Sequence, residues 1–120
     1  MKGDKETTVE ELKEKVRAFI RERDWEKYHH PKDIAESICI EAAELLELFQ
    51  WRSPEEIKEL MKREDFRESI GEELADIVIY ALSMANVTNT DLTDAIEKKL
   101  RKNERKYPVE KYKGKAYVEE

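Results

Sequence analysis

Residues that interrupt helices are scarce in this chain. Only three glycines and three prolines occur among 120 residues, and these two residue types are the least favourable in a helix interior. Apolar residues meanwhile recur at steps of three and four, the spacing that places side chains on one face of an α-helix. The sequence therefore predicts an all-α fold with four main helices and one short helix.

Local signals place the first two helices. The first is predicted from Thr8, whose side chain suits an N-cap, to about Arg23. A linker (24–30) follows it. Pro31 fits the first turn of a second helix, which is expected to end near Trp51.

Three further helices are predicted in the rest of the chain. Ser53 followed by proline indicates an N-cap, and the short third helix is expected to end near Arg63. A fourth helix spans about residues 65–87. The fifth ends near Tyr107, where a proline stops it. The last segment, 109–120, is expected to be a loose polar tail.

Length and charge narrow the class of protein. The length suits a single domain, 1–120, with a core of about residues 8–108. With 29 acidic and 23 basic residues the net charge is −6, so the basic surface that nucleic-acid polymers require is missing. No apolar run approaches the roughly 20 residues of a membrane span, and no signal-peptide core is visible. The single cysteine, Cys39, fits a reducing compartment and is expected to be a small core residue. We expect a cytoplasmic protein without membrane contact.

Two of the predicted helices carry carboxylates inside apolar patterns. Glu41 and Glu44 lie on the second helix, and Glu73 and Asp76 on the fourth. Each pair is spaced three residues apart and so shares a helix face. Buried ionised carboxylates are costly unless they are paired or bind a metal. If the two helices pack together, the four groups converge, and such an oxygen-only set favours Mg²⁺ or Mn²⁺.

Other interpretations of these acids stay open. In a chain with 29 acidic residues such pairs also arise by chance on a solvated surface. Glu47 and Glu72 could each be a further ligand, a base or an exposed acid. A di-iron carboxylate bundle needs Glu-x-x-His on two helices, and it is disfavoured because His29 and His30 both lie in the linker before the second helix.

Several sequence blocks resemble one family. EAAE and EELAD resemble the Glu-x-x-Glu and Glu-x-x-Asp motifs of the MazG-like all-α nucleotide pyrophosphohydrolases. Longer blocks are similar to the dCTP pyrophosphatase branch of that family and occur in the same order: RDWEKYHHPKD (Arg23–Asp33), ELLELFQW (Glu44–Trp51), EELADIVIY (Glu72–Tyr80) and KKLRKNERKYP (Lys98–Pro108). The similarity spans roughly residues 8–108.

The resemblance implies a fold, an activity and a metal. The fold is a helical bundle assembled as a dimer or, more in keeping with the apolar helices, a homotetramer. The reaction is Mg²⁺-dependent hydrolysis of a nucleoside triphosphate, dCTP first, to the monophosphate and pyrophosphate by attack of a metal-activated water. Mg²⁺, for which Mn²⁺ could substitute, would be held by Glu41, Glu44, Glu73 and Asp76. Glu41 or Glu44 would also act on the water as the catalytic group.

The resemblance also implies residues that bind the nucleotide. Trp25 and Trp51 match aromatic residues that enclose the base. Positions at or near the nucleotide are matched by His29, Tyr80 and Asn103. A lysine close to the phosphates is matched by Lys99. Val16 and Val87 depart from the family, since some relatives have a histidine and an arginine there. The alternative from another class is a non-enzymatic helical-bundle interaction protein whose acids are simply exposed.

Overall fold

The computed structural model describes residues 2–117, and every regular element in that range is a helix. The elements, in chain order, are α1 (Val9–Glu22), a 3₁₀ turn (Glu26–Tyr28), α2 (Pro31–Glu47), α3 (Pro54–Leu60), α4 (Glu64–Val87), α5 (Leu92–Lys106) and α6 (Val109–Tyr112). The predicted all-α fold is confirmed. The chain forms two compact units, the first ending at Asn89 and the second beginning at Thr90.

Side-chain caps explain where three of the helices begin. Thr8 accepts a hydrogen bond from the Glu11 amide at 3.1 Å and so caps α1. Ser53 accepts from the amide three residues on at 3.2 Å, at the start of α3. Asp91 accepts from the Asp94 amide at 2.9 Å and caps α5. Each cap satisfies an amide that has no partner inside the helix.

The predicted helix ends are less accurate than the starts. Helix α2 stops at Glu47, four residues before Trp51, and α3 stops at Leu60 rather than near Arg63. The predicted loose tail is wrong over 109–112, which form the single turn α6. Residues 118–120 of that tail lie outside the described residues.

Helix α4 organises the first unit. Both α2 and α1 pack along it, and the core comprises Val16, Ile20, Ile34, Phe66, Leu82 and Ala85. In the second unit, the rings of Tyr107 and Tyr112 meet edge-on with centroids 5.2 Å apart, which ties α6 to the end of α5.

The apolar residues of α2 and α4 are less buried than predicted. Ile40, Leu46, Leu74 and Val78 are exposed, as is Cys39, so the expectation that Cys39 lies in the core is wrong. A helix that packs against one neighbour buries only the stripe facing it, and the rest of its surface stays accessible. Within residues 2–117, no helix combines the length and apolar character that crossing a membrane requires.

Candidate active site

The packing of α2 on α4 brings carboxylates from both helices together. Glu41 of α2 and Glu73 and Asp76 of α4 each place one carboxylate oxygen within 4.8 Å of the others. The three-residue spacing on α4 puts Glu73 and Asp76 on one face, and the packed helices then place that face against Glu41. The sequence-based prediction of convergence holds for these three side chains.

Two of these carboxylates are poorly satisfied. The Oε2 atoms of Glu41 and Glu73 are buried and have no hydrogen-bond partner among the described residues. Burial raises the pKa of Glu41, and the adjacent carboxyls of Glu44, Asp76 and Glu73 raise it further. Burial likewise raises the pKa of Glu73, and Glu44 and Asp76 add to the effect. Both shifts mean that the folded chain opposes ionisation of this cluster in the absence of a cation.

Glu44 lies beside the cluster but is not one of the three carboxylates whose oxygens lie within 4.8 Å of one another. Its side chain is exposed, yet its carboxyl raises the pKa of both Glu41 and Glu73. Glu72 lies one residue from Glu73 and adds to the repulsion that this carboxylate experiences. Glu47, at the last position of α2, is exposed.

The donor set suits a hard divalent cation. Two buried carboxylate oxygens lack partners in the described part of the chain, and a third carboxylate lies within 4.8 Å. Together they offer concentrated negative charge and only oxygen ligands. Mg²⁺ and Mn²⁺ prefer this chemistry. The linker does contain one Glu-x-x-His spacing, from Glu26 to His29. That pair lies at a 3₁₀ turn, whereas a di-iron bundle needs the motif on two helices.

Aromatic side chains from the linker and α4 face each other in the same unit. The rings of His29 and Tyr80 are nearly parallel, with an interplanar angle of 16° and centroids 6.4 Å apart. They line a cavity of about 160 Å³ with Tyr28, Asp33, Ile34 and Ser37. The 3₁₀ turn and the start of α2 therefore build one wall of this cavity, and α4 builds the other.

The two tryptophans predicted to contact a base are both accessible. Trp25 is 43% exposed and meets the ring of Phe19 edge-on at 6.0 Å. Its carbonyl oxygen lies 2.7 Å from Nδ1 of His29, which links the two residues. Trp51 is 91% exposed and adopts a positive φ of 67°. That conformation is a real outlier for a bulky side chain and costs roughly 1–3 kcal/mol.

Lys99 and Asn103, the remaining predicted site residues, lie on α5 in the second unit. Lys99 is exposed and Asn103 is half-buried. The carbonyl of Asn103 accepts a hydrogen bond from the Tyr107 amide at 2.7 Å, where α5 ends. Their roles at the nucleotide stay predictions.

A second polar cavity, which no sequence motif predicted, lies beside His29. It measures about 190 Å³ and is lined by Arg17, Ile20, Glu26, His29, Ser83, Asn86 and Val87. Arg17 donates to Oδ1 of Asn86 at 2.7 Å, and the Asn86 amide donates to the Lys13 carbonyl at 3.1 Å. These partners are about 70 positions apart in the chain, so no local motif signals them.

The described residues define an all-helical protein with an acidic centre between two packed helices and a stacked pair of rings, His29 and Tyr80, in the same unit. The model of the MazG-like family matches residues 36–118, which include all four predicted metal ligands. The chain belongs to the MazG-like family.

Individual relatives show similarity over most of the chain. It is 37% identical over 111 residues to dCTP pyrophosphatase 1 of Bos taurus, covering 92% of this chain and 66% of that protein. For dCTP pyrophosphatase 1 of Homo sapiens, identity is 35% over 104 residues, covering 87% of this chain and 61% of the relative. The chain thus spans just under two thirds of the length of these relatives. A crystal structure of a pyrophosphatase from Archaeoglobus fulgidus has a TM-score of 0.77 and 46% identity, covering 83% of this chain and 92% of the other.

Proposed function

We propose that this protein is a Mg²⁺-dependent nucleoside triphosphate pyrophosphohydrolase that converts dCTP or a similar nucleotide to the monophosphate and pyrophosphate. The observation that carries the proposal is the pair of buried Oε2 atoms on Glu41 and Glu73, beside Asp76, that have no hydrogen-bond partner within residues 2–117. Membership in the MazG-like family and similarity to proteins named dCTP pyrophosphatase support the reaction and the first choice of base. The proposal includes a cytoplasmic location.

The acidic cluster would hold the cation. Glu41, Glu73 and Asp76 supply carboxylate oxygens from both helices, and Glu44 lies beside them to complete the set. When bound, Mg²⁺ offsets the charge of the triphosphate and makes a bound water more acidic. A polyphosphate would otherwise be repelled by these same carboxylates, so substrate and cation are expected to bind together.

Glu44 is our candidate for orienting and deprotonating the attacking water. It is exposed, as a group that meets substrate and solvent must be, and its carboxyl raises the pKa of Glu41 and Glu73. Water attack at the α-phosphorus forms a P–O bond and breaks the bond to the bridging oxygen between the α- and β-phosphorus. Pyrophosphate leaves with that electron pair, and the water proton passes to the carboxylate.

The aromatic residues would bind the base. An exposed indole stacks on any base, and such stacking is worth roughly 1–3 kcal/mol per base. Trp25 and Trp51 are both accessible for this contact, and His29 and Tyr80 line a cavity in the same unit. Following the family resemblance, we assign Lys99 to the phosphates and Asn103 to the base edge.

The test is product analysis on a panel of nucleotides. The purified full chain is incubated with each of the common deoxynucleoside and ribonucleoside triphosphates, with Mg²⁺, with Mn²⁺ and with EDTA. We expect monophosphate and pyrophosphate in equal amounts, fastest with dCTP, and none with EDTA. In ¹⁸O-labelled water the label should enter the monophosphate, because the attack is at the α-phosphorus.

Matched variants control the assignment. Glu73→Gln removes one cluster carboxylate, whereas Glu68→Gln removes an exposed one from the same helix, α4. Loss of turnover in the first variant but not in the second supports the site. Absence of metal-dependent pyrophosphate release from every triphosphate would instead favour the alternative, a helical interaction protein without enzymatic activity.

A further inference from the structure

The turn after α2 holds Trp51 in a conformation that bulky residues avoid. Its φ is 67° and its indole is 91% exposed. An exposed side chain gains little burial that could offset the strain of a left-handed backbone. The conformation must therefore be imposed by neighbouring residues.

Arg52 makes contacts that can impose it. One guanidinium nitrogen donates to the Leu48 carbonyl at 3.0 Å, four residues earlier in the chain. The guanidinium carbon lies 5.5 Å from the centroid of the Phe66 ring. Phe66 is buried near the start of α4 and meets the ring of Phe49 edge-on at 5.9 Å. Arg52 thus links the turn after α2 to α4, and Trp51 is the residue directly before it.

A similar arrangement precedes the other tryptophan. Arg23 donates to the Phe19 carbonyl at 2.9 Å, again four residues earlier, and its guanidinium lies 3.8 Å over the Phe19 ring. Asp24, between Arg23 and Trp25, has a positive φ of 55°. Both exposed tryptophans therefore sit at a strained turn where an arginine binds a helix-terminal carbonyl and a phenylalanine ring.

We propose that Arg52 is a positioning residue, which holds the backbone of Trp51 in its left-handed conformation and thereby sets the direction in which the indole projects to stack on the base. This inference rests on the proposed function for the stacking itself, while the contacts of Arg52 with the Leu48 carbonyl and the Phe66 ring stand on geometry. A guanidinium is planar and can donate a hydrogen bond while lying against an aromatic ring, whereas the lysine ammonium is a compact, strongly hydrated charge. Arg52→Lys therefore keeps the positive charge but cannot make the hydrogen bond to the Leu48 carbonyl and the contact with the Phe66 ring at the same time.

The first test follows the mobility of Trp51 without any nucleotide. In a Trp25→Phe background Trp51 is the only tryptophan, and time-resolved fluorescence anisotropy reports its local motion. We expect Arg52→Met and Arg52→Lys to increase the amplitude of the sub-nanosecond decay. Arg23→Met in the same background is the matched control and should leave that amplitude unchanged.

The second test separates binding from chemistry. In the otherwise native full chain, Arg52→Met and Arg52→Lys should raise KM for dCTP severalfold and leave kcat nearly unchanged, because a mobile indole weakens ground state and transition state alike. Circular dichroism and melting curves confirm that each variant is folded. If Arg52→Met does not fold, the lysine variant carries the test.

Three outcomes would overturn the inference. Unchanged anisotropy in both Arg52 variants would show that Arg52 does not hold Trp51, whatever the activity. Normal kinetics for Arg52→Lys beside a defective Arg52→Met would assign Arg52 to charge attraction of the triphosphate. Increased Trp51 mobility in the Arg52 variants, together with an unchanged KM in Trp51→Ala, would show that the indole does not stack on the base. Arg52 would then have only a structural effect on Trp51.

Discussion

Glu41 on α2 and Glu73 on α4 each bury a carboxylate oxygen that has no hydrogen-bond partner among the described residues. The two oxygens belong to side chains that approach one another within 4.8 Å across the packed helices. Like charges at such a distance repel, and burial strengthens the repulsion. The acidic centre is thus electrostatically strained in the chain without a cation, and a bound cation or the loss of one carboxylate should relieve the repulsion.

Metal binding should stabilise the fold. A ligand that binds only the folded state contributes RT ln(1 + [L]/Kd), about 2.7 kcal/mol at a hundredfold excess over Kd. We expect Mg²⁺ and Mn²⁺ to raise Tm by several degrees in differential scanning fluorimetry, and EDTA to reverse the rise. Glu73→Gln should show a much smaller shift. A melting curve that responds to neither cation would contradict the metal site.

Cluster carboxylates should matter for turnover and not for folding. Removing a residue that only supports a metal ligand typically lowers metal affinity or activity about 10–100-fold. Glu44 and Asp76 are proposed to act at the metal directly, so Glu44→Gln and Asp76→Asn are each expected to lower turnover by about a hundredfold or more. Removing a charge relieves repulsion, so the metal-free stability of both variants should hold or rise. Steady-state kinetics and chemical denaturation measure the two effects. Near-normal turnover in both variants would rule the assignment out.

The metal-free protein should lose stability as pH rises. The pKa values of Glu41 and Glu73 are raised in the folded state from the ordinary value of 4.5, so the folded chain binds more protons than the unfolded chain between 4.5 and the raised values. The free energy of unfolding then falls as pH increases through that window. Urea denaturation in EDTA from pH 4 to 8 measures the slope. Glu41→Gln should flatten it, and a slope identical in wild type and variant would contradict the prediction.

Trp51 should determine how tightly the nucleotide binds, and Asn103 should determine which base is preferred. Trp51→Ala should raise KM more than it lowers kcat, because stacking holds the ground state and the transition state alike. Asn103→Ala should narrow the preference for dCTP over other triphosphates, since an amide offers both a donor and an acceptor to a base edge. Values of kcat/KM for each nucleotide provide the comparison. A purine triphosphate clearly preferred by the wild type would defeat this model of the pocket.

The exposed apolar surface predicts assembly. Leu12, Phe19, Val78 and Ile79 line a groove between α1 and α4, and each is at least 40% exposed. Soluble monomers rarely leave such surface uncovered. We expect a homo-oligomer, a tetramer in preference to a dimer, by light scattering at micromolar concentration. Val78→Glu should reduce the mass, and a wild-type mass of 14.3 kDa, that of one chain, would contradict the prediction.

The sequence predicted the starts of α1 and α3 and the acidic centre because these features depend on local spacing. Thr8 and Ser53 act on amides within three residues, and the Glu41–Glu44 and Glu73–Asp76 spacings fix shared helix faces. The end of α2 could not be predicted in this way. No glycine marks it, and the residue with a positive φ there is Trp51. The neighbouring Arg52 lies over the ring of Phe66 on α4, and no local sequence pattern encodes that contact.

Other features depended on distant packing. The hydrogen bond from Arg17 to Asn86 joins residues 69 positions apart. Exposure of Cys39 likewise depends on which face of α2 meets α4. The hydrophobic pattern indicated that α2 is apolar on several sides. It did not indicate that packing within a single chain would bury only the side that faces α4.

The hydrogen bond between His29 and the Trp25 carbonyl fixes more than the ring's position. A carbonyl oxygen only accepts, so Nδ1 must carry the proton, and in the neutral ring Nε2 is left as an acceptor. A ligand that meets this edge of His29 must then bring a hydrogen of its own. The 4-amino group of cytosine can do so and the 4-carbonyl of uracil or thymine cannot, so at that position of the ring a main-chain oxygen favours cytosine without touching it.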